Sequence, residues 1–315
     1  MGAMILVSDQ VGDPYLNLAV ELYLVEHAAQ PVLYLWRNDR TVVIGQNQNP
    51  YSEVDLEALA AAGGHLMRRR TGGGAVYHDV GNLNFSFIMP HALYDQGRQF
   101  AVIQRAVEGF GLHTLLSGRN DILAEGLKFS GNAFSKGHDN DLHHGTLLVS
   151  GNMSDLAGYL RPNAAKLQRH GVQSVRSRVV NLHDLCPQIG VESLAERLQE
   201  AFAAEYSWGI EKCGFTEIAS RPEVGRFRDE LASDAWLYGR WRSFRATRTG
   251  HFPWGSVEVQ VTVDDGVIRD VQIASDALDT AALDKACRLL TGARADRLPS
   301  DGEGIIQDLI GLISE

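Results

Sequence analysis

Lysine, cysteine and long apolar runs are all scarce in this chain. Of 29 basic residues only five are lysines, and 39 Asp and Glu leave a net charge of −10 over 315 residues. A field of that sign argues against general binding to nucleic acid or to an anionic membrane surface, which need a basic face. Three cysteines, Cys186, Cys213 and Cys287, are too few and too scattered for a disulfide framework or a zinc site. No apolar run approaches the ~18–20 residues of a membrane span. The opening MGAMILVSDQVGD has no basic stretch ahead of an apolar one and soon reaches Asp9 and Asp13, so no secretory leader is expected. Repeats and low-complexity tracts are absent. These absences point to a cytoplasmic protein.

What remains is ordinary globular material, 44% hydrophobic and 22% charged, long enough for about two domains of ~150 residues. Met4 to Ser8 reads as a strand. Asp13-Pro14 supplies an N-cap and a first-turn proline for a helix through Leu18, Leu22 and Val25. VLYLW (Val32 to Trp36) and TVVIG (Thr41 to Gly45) read as strands either side of a polar turn, and Glu53 to Ala62 as a helix ending at Gly63-Gly64. HLMRR and Leu83 to Met89 are strand-like. Helical periods run over Gln99 to Leu116 and Glu192 to Tyr206. Strands mixed irregularly with helices predict an α+β domain with a mixed sheet. After an Arg- and Trp-rich stretch near 236–250, two alternating runs flank the turn Asp264-Asp265-Gly266, and two helical segments follow. That pattern predicts a first domain over 1–241 and a small α+β domain over 242–315.

The segment RRRTGGGAVYHD, Arg68 to Asp79, concentrates the chemistry. Three successive glycines bare the backbone for close approach of a ligand, and flanking arginines can fork onto anionic oxygens. It is neither a Walker A loop, which closes on Gly-Lys-Ser/Thr, nor a GxGxxG fingerprint. By itself it is equally compatible with a turn between two strands and a solvated arginine edge. Lys128 lies between Leu127 and Phe129 in the strand-like KFSGNAF. A half-buried ammonium there needs an anionic partner or loses its proton, although an edge-strand lysine would look the same. His143 and His144, adjacent on a strand, must face opposite ways, so at most one serves a site and neither is assigned to a metal.

Taken in order, several segments resemble the lipoate–protein ligase A family. They are NLAVE (Asn17 to Glu21), LWRNDRTVVIGQNQNP (Leu35 to Pro50) and RRRTGGGAVYHDVGNLNFSF (Arg68 to Phe87), then SGRNDI (Ser117 to Ile122), LKFSGNAF (Leu127 to Phe134), HHGTLL (His143 to Leu148) and SVRSRVVNL (Ser174 to Leu182). The tail around WGSVEVQVTVDDGVI (Trp254 to Ile268) is similar to that family's C-terminal accessory domain. The resemblance implies a mixed-sheet catalytic domain of the biotin/lipoate ligase type. It implies activation of lipoate or octanoate by ATP, with Mg²⁺, to an acyl-adenylate, then transfer to a lysine of apo lipoyl domains of 2-oxoacid dehydrogenase complexes or of the glycine-cleavage carrier protein. Lys128 matches the family lysine that meets both ATP and lipoate. Arg69, Gly74, Ala75, Val76 and Tyr77 match ATP-binding positions, and Arg70, Thr71, Gly72 and Gly73 lipoate-binding positions. Ser174, Arg176 and Arg178 match an adenylate-covering loop. Arg70 departs from the family, where a small hydroxyl residue is more usual. The rival expectations are an ATP-independent octanoyl- or lipoyl-transferase, a biotin–protein ligase, and a non-catalytic lipoate- or nucleotide-binding protein. A monomer is expected, since no heptad or long exposed apolar stripe stands out.

Overall fold

The computed structural model describes residues 2–118, 120–161, 179–206, 209–239, 243–300 and 302–314. Along the described chain, β1 (Gly2–Val7) leads into a helix, Pro14–His27, and then β2 (Val32–Trp36), β3 (Thr41–Ile44), β4 (His65–Arg68), β5 (Val76–His78) and β6 (Asn82–Pro90). The helix Gln96–Glu108 precedes β7 (Thr114–Ser117), β8 (Asp121–Ala124), β9 (Leu127–Lys136) and β10 (Asn140–Leu148). Beyond the helix Val191–Tyr206 come β11 (Gly209–Gly214), the helix Pro222–Ala232, β12 (Ser243–Phe252), β13 (Gly255–Asp264) and β14 (Val267–Ser275), and the helices Thr280–Leu290 and Ile305–Ser314.

Eight strands form one mixed sheet in the order β11-β1-β2-β6-β10-β9-β8-β7. β1 runs parallel to both its neighbours, while β2, β6, β10, β9, β8 and β7 pair antiparallel in succession. Both faces are covered. Phe85, Phe87, Phe129, Ile103, Leu198 and Phe202 form a core on one side, and Leu18, Leu22, Tyr34, Ile88 and Leu142 on the other. Burial on both faces explains why VLYLW is apolar without alternation, every residue of it being buried. A smaller sheet, β4-β3-β5, has its own core of Val42, Ile44, Leu66 and Tyr77. The third sheet, β12-β13-β14, packs Val257, Val259, Val261 and Val263 against the two last helices.

The Asp13 side chain caps the first helix by accepting from the Leu16 N–H at 3.0 Å, as Asp-Pro predicts. The hairpin at Asp265-Gly266 also forms, with both φ values positive (51° and 74°), as a primed two-residue turn requires. Four expectations need correction. The first strand begins at Gly2 instead of Met4. Helix is expected through Leu116 but stops at Glu108, because Gly109 caps it and Gly111 turns the chain at φ +87°. Leu115 and Leu116, which extended the apparent period, stand exposed on β7. The helix expected over Glu53 to Ala62 is broken at Val54, since Asp55 starts a fresh turn by accepting from the Ala58 N–H. The small unit has three strands and not two. β12 escapes notice because its half-buried positions include Ala246, Arg248 and Gly250, which give no apolar alternation.

Candidate functional site

Arg69 to Ala75 connect β4 to β5, and this glycine turn leans over the large sheet to enclose a cavity of about 380 Å³. Its apolar lining includes Leu18, Trp36, Val43 and Met67. Its polar lining includes Lys128, Asp121, Asn120, Asn84 and His144. Gly131 and Gly145 also line it. A Cβ on Gly145 would point to the opposite face of the sheet, 2.7 Å from both the Gly131 carbonyl oxygen and Phe85 Cζ, closer than packing allows.

Lys128 projects from β9, where a register irregularity against β8 falls between Ile122 and Leu123. Its Nζ lies 2.7 Å from Asp121 Oδ1, with both side chains one-third exposed (34%). The partner that a half-buried ammonium requires is therefore present. β9 is an interior strand, which removes the edge-lysine reading. On its other side the Val180 N–H donates to the Lys128 carbonyl at 2.9 Å.

The three consecutive arginines do three different things. Arg68, 4% exposed, turns away from the cavity and donates to the carbonyls of Gln46 (3.0 Å), Gln48 (2.7 Å) and Leu237 (2.6 Å). Arg69 lines the cavity, yet its donors are spent on the carbonyls of Val43 (3.2 Å), Gly72 (2.7 Å) and Gly74 (2.8 Å) and on Thr71 Oγ1 (3.1 Å). Burial pulls this guanidinium down to about 10, against the opposing attraction of Glu21. Arg70 lies outside the cavity, paired with Glu230 at 3.0 Å and stacked over Phe227 and Trp236.

Of the other expected positions, Gly73, Gly74, Ala75 and Val76 line the cavity. Gly73 takes φ +98°, where a side chain would be strained, and a Cβ there would press on Arg69 at 2.8 Å. Thr71 is buried beneath the turn, 2.8 Å from His144 Nε2. Neither Gly72 nor Tyr77 is on the cavity wall, and Tyr77 packs its ring against Tyr159 of the helix Met153–Tyr159, in the core of the small sheet. Ser174, Arg176 and Arg178 lie outside the described residues.

The two histidines of β10 do face opposite ways, but both are buried. His143 sits among Phe85, Phe87, Phe100 and Phe134, hydrogen-bonded to Gln99 and Asn132 at 2.9 and 2.8 Å. Burial, and then His144, hold it well below the usual histidine range. His144 belongs to the cavity and meets Glu21 at 2.9 Å. His78 also lines it. Burial first, then Arg69 and His144, push His78 down to about 3. Its Nδ1 is 3.3 Å from Asn38 Nδ2, so it accepts there. Asp121, His78 and Asn84 were missed as site residues. The signal for Asp121 was its place in SGRNDI, and for His78 and Asn84 their place in RRRTGGGAVYHDVGNLNFSF.

Among the described residues no group of three or more His, Cys, Asp or Glu could hold a metal ion, and no helix is long and apolar enough to cross a membrane. No cysteine lines the cavity.

Residues 13–203 match the lipoyl protein ligase A/B catalytic domain, and residues 242–298 the bacterial lipoate protein ligase C-terminus. The chain is 36% identical over 301 residues to lipoate-protein ligase A of Psychrobacter cryohalolentis, covering 93% of this chain and 89% of that one. Its fold is similar to that of P. falciparum LipL1 in complex with lipoate, with a TM-score of 0.69, 28% identity and 99% of each chain covered. It is also similar to a lipoate-protein ligase A bound with ATP (TM-score 0.67, 26% identity, 76% of this chain and 99% of that one). A third likeness is to the ligase in a bipartite lipoylation system described with its E2 lipoyl domain from Thermoplasma acidophilum (TM-score 0.68, 26% identity, 76% and 97% covered).

Proposed function

Since the chain belongs to the lipoate–protein ligase family, we propose that it joins lipoate, or the related octanoate, to lipoyl domains in two ATP-driven steps. In the first, the acid's carboxylate oxygen attacks the α-phosphorus, the bond to the departing phosphate breaks, and acyl-adenylate and pyrophosphate form. In the second, the amine of an acceptor lysine attacks the acyl carbonyl, loses a proton, and AMP leaves. The observation that carries this reading is a single cavity whose lining combines apolar side chains, the Lys128 ammonium and a bare glycine turn.

Two anions must meet in the first step, so the cavity has to supply positive charge and backbone donors. Lys128 is the cation on its wall whose hydrogens are not spent on backbone carbonyls. As a mobile point charge it can leave Asp121 for the carboxylate, follow the charge to the phosphate, and then meet the acyl oxyanion. Leu18, Trp36, Val43 and Met67 give an apolar lining suited to the acyl chain, each buried methylene contributing roughly 0.8 kcal/mol. Mg²⁺ carried by nucleotide phosphates needs only one or two protein oxygens. Asp121 is the acidic side chain on the cavity wall and fits that need. When bound, the ion neutralises phosphate charge. That none of Cys186, Cys213 and Cys287 lines the cavity favours ATP over a cysteine-borne thioester. We take the catalytic unit to end at 241 and the accessory unit to span 242–315, a division supported by the separate core of the third sheet.

The test is the mass of an unmodified lipoyl domain incubated with the protein, Mg²⁺ and lipoate, with and without ATP. One lipoyl mass should be added only with ATP. Equal acylation from an acyl-carrier donor without ATP would establish the transferase instead, and binding without transfer would leave a binding protein. Lys128→Ala should lose on the order of a hundredfold or more in pyrophosphate formation; full activity would remove Lys128 from the mechanism.

A further inference from the structure

We propose that Glu21 and Thr71 are positioning residues that fix the glycine turn through a buried, one-directional chain of hydrogen bonds. Neither reaches the cavity: Glu21 is 1% exposed on the first helix, and Thr71 is 3% exposed beneath the turn. Arg69 Nε donates to Thr71 Oγ1 at 3.1 Å, and Thr71 Oγ1 is 2.8 Å from His144 Nε2. His144 Nδ1 lies 2.9 and 3.1 Å from the two Glu21 oxygens. From the other side Trp36 Nε1 donates to Ser86 Oγ at 3.1 Å, and the Ser86 hydroxyl donates to Glu21 Oε2.

The direction of the whole chain follows from one end. A carboxylate only accepts, so His144 Nδ1 must carry its hydrogen toward Glu21. In a neutral ring Nε2 is then an acceptor, and the Thr71 hydroxyl donates into it. That leaves the Thr71 oxygen free to accept from Arg69 Nε. Oriented so, Arg69 directs its remaining hydrogens onto the carbonyls of Val43 in β3 and of Gly72 and Gly74 in the turn. A charge on the first helix therefore sets the shape of a loop more than 45 residues away in sequence. Buried networks of this kind specify one arrangement only when every member is satisfied, and this one is. The neighbouring charges agree with that arrangement, since Glu21 opposes the burial that weakens the Arg69 proton.

The consequence for rate rests on the adenylating function proposed above, but the consequence for structure does not. Thr71→Val keeps the shape and removes the hydroxyl, and Thr71→Ser keeps the hydroxyl. In the full chain without ligand, amide hydrogen exchange at Gly72 to Val76 should quicken roughly tenfold in Thr71→Val, the size of losing one buried hydrogen bond, and stay unchanged in Thr71→Ser. The helix Val191–Tyr206 should be unaffected in both. In acid-dependent pyrophosphate exchange, Thr71→Val should raise KM for ATP by roughly tenfold, with KM for the acid changed far less. Nitrogen-15 NMR at alkaline pH, assigned by loss of the signal in His144→Gln, should find His144 as the Nδ1–H tautomer. Glu21→Gln, whose amide can donate as well as accept, should admit the other tautomer. The Nε2–H tautomer in the unsubstituted protein, wild-type exchange in Thr71→Val, or acceleration spread through Val191–Tyr206 would each overturn the positioning role. Absence of any pyrophosphate exchange by the unsubstituted protein would instead overturn the adenylating function, leaving the exchange and NMR arms to decide the relay.

Discussion

A single methyl group at Gly45 puts the geometry of the glycine turn to a severe test. Gly45 follows β3 and has a backbone any residue can adopt, since it is absent from the positive-φ positions. A Cβ built there falls 2.3 Å from the Gly73 carbonyl oxygen and 3.3 Å from the Gly72 carbonyl carbon. Carbon–oxygen contacts ordinarily lie near ~3.3 Å, so the turn must retreat by about 1 Å. It cannot do so freely, because Arg69 holds the Gly72 and Gly74 carbonyls at 2.7 and 2.8 Å. Misplacement by about 1 Å at a reacting site costs on the order of a hundredfold in rate, and overpacking costs about 1–3 kcal/mol of stability. Gly45→Ala should therefore slow acid-dependent pyrophosphate exchange by about a hundredfold and lower the denaturant-unfolding free energy by about 1–3 kcal/mol. Gly12→Ala is the control, since nothing lies within 4 Å of its added carbon. Wild-type exchange rates in Gly45→Ala would show that the position of the turn does not matter to the chemistry.

Arg68→Met should cost about 3–5 kcal/mol in denaturant unfolding, because it strands the buried carbonyls of Gly45 and Leu237 and the part-buried ones of Gln46 and Gln48; a loss under about 1 kcal/mol would mean that water replaces the guanidinium. Acid should also destabilise the fold early. His78 is held near about 3 and His143 well below its usual range, so both stay neutral when folded and bind a proton near the ordinary 6.5 when unfolded. Their contribution is complete above that value and falls as pH drops through it, by about 2 kcal/mol at pH ~5 for His78 and in the same direction for His143. Unfolding curves that are flat between pH ~7.5 and ~5 would refute that burial.

Much of the architecture was legible because local rules carry it. Asp13-Pro14 supplies the cap and first-turn proline of a helix, Asp265-Gly266 turns a hairpin, and VLYLW, apolar throughout, is a strand covered on both faces. Lys128 could be singled out because lysine is scarce here and its flanks are apolar. The stop of a helix at Gly109 was less visible, since Leu115 and Leu116 happened to extend its period.

Which polar group meets which was settled elsewhere. RRR spells three equal cations in one dimension, and only packing against Leu237, the glycine turn and Glu230 makes them a clasp, a brace and a surface pair. Alternation along β10 separated His143 from His144, but not what each would meet, because that depends on helices arriving from residues 14–27 and 96–108. Glu21 looked like one more polar position on an apolar helix and became the acceptor of a chain ending at Gly74. Backbone periodicity is a property of neighbours in sequence and can be read there. Hydrogen-bond partnership in a dry interior is a property of neighbours in space, and it exists only once the sheets have closed over it.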